Sequence, residues 1–106
     1  MNTQYKKSIL DMCVLAVLDR DDNYGYDMAD YLSKTIEVED VSVYPLLRKL
    51  AKDGLVTTYL KESQTGPPRK YYRLADEGRK VLNEYRKDWK EFTAVVNQIL
   101  EGEPNE

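Results

Sequence analysis

A chain of 106 residues, 42% hydrophobic and 33% charged, is long enough for one hydrophobic core and too apolar to stay disordered. A single cysteine and no histidine exclude an internal disulfide, the usual zinc and iron ligand sets, and Ser-His or Cys-His catalysis, so neither metal nor cofactor is expected. The formal net charge of -3 hides a segregation: residues 42–74 hold seven Lys/Arg against Asp53 and Glu62, or +5, and the remainder carries -8.

The apolar stretch after Met1–Lys7 is interrupted by Asp11 and has no small-residue cleavage site, so it does not read as a signal peptide. No apolar run approaches the roughly 20 residues that span a bilayer. A cytoplasmic protein without a membrane partner is expected. Ser8–Leu18 is apolar on nearly every side of a helix, which marks a central, buried element, with Cys13 a structural thiol inside it. Arg20–Asn23 is a polar turn in which Asp22 or Asn23 is placed to cap the next helix. Tyr24–Lys34 reads as a short amphipathic helix with Met28, Tyr31 and Leu32 inward, and residues 35–41 as a connector. A third helix begins near Ser42, carries Pro45 in its first turn and ends at Asp53-Gly54, with Gly54 as its cap.

The period then changes. Leu55–Lys61 and Lys70–Leu74 are rich in strand formers, and Glu62–Arg69 (ESQTGPPR) between them reads as a long hairpin loop. Asp76–Glu101 is one long helix, followed by a frayed tail, residues 102–106. The expected fold is mainly α with a two-stranded β wing: a winged helix-turn-helix over residues 1–75 and a C-terminal dimerisation helix over 76–101.

On a wheel, the third helix puts Val43, Leu46, Leu47, Leu50 and Ala51 on one side and Pro45, Arg48, Lys49 and Lys52 on the other. A basic helix face is commonly just solvated. Here a hairpin stiffened by Gly66, Pro67 and Pro68 brings Lys61, Arg69 and Lys70 alongside it, which is how a winged helix grips duplex DNA. Arg48 and Lys49 suit guanine edges, while Lys52, Lys61, Arg69 and Lys70 suit phosphates. Ser42, at the start of the reading helix, and Pro45 are expected at the DNA with them. Tyr44 beside it either touches a phosphate or sugar or packs at the helix boundary. Tyr71 and Tyr72 read as strand packing rather than base stacking.

In the last helix Leu82, Tyr85, Trp89, Phe92, Val96 and Ile99 follow at intervals of 3, 4, 3, 4 and 3 residues, an a/d seam with Asp88, Lys90 and Glu91 off it. The N-terminal half of the seam is expected to pack on the chain's own core; no further element is offered for the C-terminal half, so a second copy in a two-fold dimer is expected to cover it. Such a dimer spaces two reading helices about 34 Å apart, to suit a palindromic operator.

Tyr24-Gly25-Tyr26, Ser42–Leu50 (SVYPLLRKL), Gly54-Leu55-Val56, Gly66–Tyr72 (GPPRKYY) and Leu74 followed by Gly78 together resemble the PadR family, over residues 8 to about 100. The resemblance implies a winged-helix repressor dimerised through its last helix, of the smaller subgroup because only one such helix is present. Ala75 departs from the pattern, where a threonine or serine cap is usual, and Asp76 is the substitute. In multidrug-sensing members of that subgroup a tryptophan at the place of Trp89 lines a pore at the dimer centre. The resemblance thus implies a small planar aromatic effector on Trp89, near Phe92 and Val96, with Ser8, Asp11, Met12 and Leu15 of the first helix closing the pore. Plain interface packing of Trp89 is the alternative.

Two other classes stay open on the residues alone. A winged helix can serve as a protein-binding adaptor without DNA. A carboxylate-based hydrolase is opposed by the missing histidine and the absence of any paired-acid motif.

Overall fold

The computed structural model describes residues 3–102, with side chains described from Ile9 onward; the side chain of Ser8 and the tail expected beyond Gly102 lie outside the described residues. The order is α1 (Thr3–Arg20), β1 (Asn23–Tyr24), α2 (Gly25–Thr35), a turn of 3-10 helix (Asp40–Ser42), α3 (Val43–Lys52), β2 (Val56–Ser63), β3 (Gly66–Leu74) and α4 (Asp76–Glu101). Among the described residues, no helix is long and apolar enough to cross a membrane.

The core gathers around α1, whose Leu10, Val14, Leu15 and Leu18 are buried against Met28, Ala29 and Leu32 of α2 and Val43, Leu47 and Leu50 of α3. Val56, Tyr72 and Leu74 close it from the sheet and Leu82 from α4. Leu47 and Leu82 are fully buried, each worth about 1.5–3 kcal/mol relative to exposure. Their burial fixes how α3 and α4 are rotated, and therefore which side chains those helices present outward. Burial also pushes the Cys13 thiol up from its usual range, which keeps it protonated and unreactive.

α3 ends as the sequence pattern anticipates. Gly54 has φ +77°, a left-handed conformation that costs glycine little. From it the Gly54 N–H donates to Ala51 O and the Leu55 N–H to Leu50 O, the paired bonds of a Schellman stop. The start of α2 differs from expectation. Its N-cap residue is Tyr24, without a side-chain cap bond. Asp22 is occupied elsewhere, accepting from the Tyr59 hydroxyl at 2.7 Å and from Arg73 Nε at 3.1 Å. Tyr31, expected inward, is 42% exposed, because Met28, Ala29 and Leu32 fill the inner face of that short helix.

The sheet is larger than the expected two strands. β1 adds to the far side of β3, giving the order β1-β3-β2, with Asn23 opposite Tyr72 and Tyr24 opposite Tyr71. The expected Glu62–Arg69 loop is also mostly strand: β2 runs to Ser63, β3 starts at Gly66, and only Gln64 and Thr65 turn the chain. The prolines are tolerated because the register is irregular there. Lys61 pairs with Arg69 and Ser63 with Gly66, so Glu62 alone faces both Pro67 and Pro68, as in a bulge that needs no ladder N–H.

Candidate functional site

The exposed side of α3 carries Pro45, Arg48, Lys49 and Lys52, with the aliphatic side locked into the core. Three cations therefore stand on one helix face, whose rotation is set by the burial of Val43, Leu47 and Leu50. Ser42 is not part of that face. It is half-buried and lines a shallow cavity of about 270 Å³ with Leu10, Asp11 and Leu46. Tyr44 is partly buried against the core. Burial pushes its hydroxyl above the usual phenol range, and the nearby Asp40, Tyr26 and Tyr24 add to the effect.

The wing has an organisation that its sequence does not announce. Tyr26, Tyr24, Tyr71 and Tyr59 form a stacked row, with ring centroids 6.1, 6.0 and 5.7 Å apart in turn. The row crosses all three strands because Tyr71 is the register partner of both Tyr24 and Tyr59. Cations lie over it: Arg69 over Tyr24 at 4.9 Å, Lys61 over Tyr71 at 5.1 Å and Arg73 over Tyr59 at 4.9 Å. The Tyr59 hydroxyl titrates above its usual range chiefly because it donates to Asp22.

Strand alternation divides the wing cations. Lys61 and Arg69 face one another across the ladder on the tyrosine side. Lys70, opposite Leu60, is on the other side and lies over the ring of Tyr72 at 5.6 Å. Tyr72 is buried in the core, so it is a packing residue, and Tyr71 is half-buried within the aromatic row.

The expected seam of α4 splits into two parts. Leu82, counted with the dimer seam, is fully enclosed in the chain's own core, where the N-terminal half of the seam is expected to pack; Leu15 of α1, expected to close the pore, is enclosed as well and does not reach the groove. The reason is the crossing of α1 and α4, which turns the first seam residue inward. Further along, Met12, Tyr85, Trp89 and Phe92 do converge, and with Ile9 and Asp88 they line an open cavity of about 280 Å³. That is near the lower end for a small-molecule site. Asp88, read from the heptad as lying off the seam, is a lining residue because it flanks Trp89 on the side that faces α1. Asp11 is not among the lining residues, although its charge is felt at the groove. Burial, then the Asp11 carboxylate, raises the Tyr85 hydroxyl above its usual range and keeps it a donor.

From Trp89 onward α4 is largely exposed. Trp89 is 43%, Phe92 63% and Ile99 72% exposed, while Val96 is half-buried. At the other end of the α1–α4 contact, Arg79 Nε and Arg86 Nη2 donate to the two oxygens of Asp19 at 3.3 and 3.1 Å. The Arg86 bond is the larger cause that holds the Asp19 carboxyl below its usual range. This clamp ties the end of α1 to the first three turns of α4.

Three helices, a basic third helix, a β hairpin beside it and a long C-terminal helix define a winged helix-turn-helix regulator by fold. Residues 14–84 match the model of the transcriptional regulator PadR-like family, and the chain belongs to that family. A PadR-like transcriptional regulator from Bacillus cereus is similar in structure, with a TM-score of 0.85 and 36% identity over 94% of this chain and 99% of that one. The structure of Bacillus subtilis PadR in complex with operator DNA has a TM-score of 0.66 at 26% identity, over 73% of this chain and 46% of that one. The negative transcriptional regulator PadR of Bacillus subtilis is 26% identical over 81 residues, 73% of this chain and 44% of that protein.

Proposed function

We propose that this regulator is a repressor that binds a palindromic operator as a homodimer and releases it when a small planar hydrophobic ligand enters the dimer seam. The observation that carries the reading is the pairing of two basic surfaces of different kinds, the exposed face of α3 and the cation-bearing tyrosine row of the wing. The likeness to a PadR that is described in complex with operator DNA supports the same reading. In it, residues 1–75 form the DNA-binding unit and α4 the dimerisation unit.

Arg48 and Lys49, near the middle of α3, are assigned to base edges in the major groove, where Arg and Lys pair with guanine O6 and N7. Lys52, Lys61, Arg69 and Lys70 are assigned to phosphates, whose neutralisation releases counterions and makes affinity steeply salt-dependent. No bond is made or broken; the operator is simply occupied. Trp89, Phe92, Ile9 and Met12 offer a planar ligand apolar surface, and Tyr85 and Asp88 offer it one donor and one charge. The ligand lowers operator affinity only to the extent that it prefers one spacing of the two α3 helices over another.

The test is an anisotropy titration against DNA upstream of the protein's own gene across salt concentrations. A linear fall of log affinity with log salt, with loss of binding in the Arg48→Ala variant, is the expected outcome. Binding of a protein partner that survives charge reversal at Arg48, Lys49 and Arg69, with no DNA bound at low salt, would make the chain an adaptor instead. Quenching of Trp89 fluorescence by planar aromatic compounds, and relief of DNA binding at the same concentrations, tests the effector.

A further inference from the structure

We infer that Tyr24 is a positioning residue for Arg69: its ring holds the guanidinium of the wing over the sheet so that the edge N–H groups are presented to operator phosphate. This rests on the operator-binding reading above. β1 is two residues long and pairs only through Asn23 and Tyr24. What that pairing achieves is to set Tyr24 beside Tyr71 and under Arg69, with the guanidinium carbon 4.9 Å from the ring centroid.

The platform is rigid for reasons that can be followed residue by residue. Tyr24 is fixed through its backbone to β3, Tyr71 is flanked by ring neighbours on both sides, and Tyr59 is tethered through its hydroxyl to Asp22. Arg69 itself is exposed near the bulge at Pro67-Pro68. A long exposed arginine normally loses much rotamer freedom when it docks on a phosphate. Arg69 has part of that ordering done in the free protein. A guanidinium attracted to a ring uses its face, and its donors lie in its edge, so the stacking does not consume the groups a phosphate needs. Lys61 over Tyr71 is held in the same manner, one ring along the row.

The experiment is a double-mutant cycle in operator binding with full-length protein: Tyr24→Leu and Tyr24→Phe, each in the wild-type and the Arg69→Ala background. Tyr24→Leu is expected to weaken binding about threefold to tenfold in the wild-type background and not at all in Arg69→Ala, with Tyr24→Phe close to wild type. Equal losses in both backgrounds would make Tyr24 a structural residue and overturn the inference while leaving operator binding intact. An Arg69→Ala protein that binds as tightly as wild type would remove Arg69 from the interface, and this inference with it. Where Tyr24→Leu folds poorly, the wild-type protein answers alone: the Arg69 δ protons should be shifted upfield by the ring in NMR spectra of the DNA-free protein, and random-coil shifts would overturn the stacking.

Discussion

Gly78 lies directly against the backbone of Leu55. A Cβ built on Gly78 would collide with the Leu55 carbonyl oxygen and come within 2.7 Å of Leu74 Cδ1. The same carbonyl accepts the Ala75 N–H at 3.0 Å, so the first turn of α4 is pressed onto the loop that follows α3. Gly78→Ala is expected to cost about 3 kcal/mol or more, since backbone cannot give way as a side chain can. Urea denaturation measures it; an unchanged midpoint would mean that α4 can lift from Leu55 freely.

Asp19→Asn should lower thermal stability at neutral pH by uncoupling Arg79 and Arg86 from the end of α1. The Asp19 carboxyl is held below its unfolded value of 3.8, so its contribution is present above that value and is lost as pH falls through the lower folded one. The gap in melting temperature between wild type and Asp19→Asn should therefore be full at pH 7 and close on acidification below 3.8. A gap that persists there would assign the effect to something other than the carboxylate charge.

Arg48 and Lys52 should fail differently. Arg48→Ala is expected to cost about 1–3 kcal/mol at the operator and to relax preference at one base pair. Lys52→Ala should weaken all sequences alike and reduce the slope of log affinity against log salt by about one. Titrations against operator and scrambled DNA at several salt concentrations separate the two patterns.

Ile99→Asp places a charge on the barest part of α4 and touches nothing in the core. It is expected to raise the dimer dissociation constant by about a hundredfold or more while leaving the fold of each chain intact. Sedimentation velocity reads the first effect and circular dichroism the second.

The helices were legible in the sequence because each carries a sustained period. The apolar run of α1, the two-sided wheel of α3 and the 3-4 spacing of α4 all correspond to observed elements. The sheet was less legible. β1 is too short to have a period, and its reason for being a strand, the opposite Tyr71 and Tyr72, is nearly fifty residues away. Pro67 and Pro68 looked like loop residues because proline is depleted in strands, and only the register shows them sharing a bulge opposite Glu62. A heptad puts Leu82 on one seam with Trp89 and leaves Asp88 off it; only the crossing of α1 over α4 shows where the seam divides, with Leu82 buried and Asp88 turned to the groove. The tyrosine row depends on register alone, so no spacing rule along the chain could have found it.

The exposed end of α4 also bears on abundance. The helix is 26 residues long, yet among its described residues only Gly78 and Leu82 are buried by the rest of the chain. If a second copy covers the remainder, the paired form grows with the square of chain concentration while the protein is scarce, and halving the amount of protein quarters the amount of dimer. Operators served by such a regulator would be freed abruptly, rather than in proportion, as growth and division dilute it.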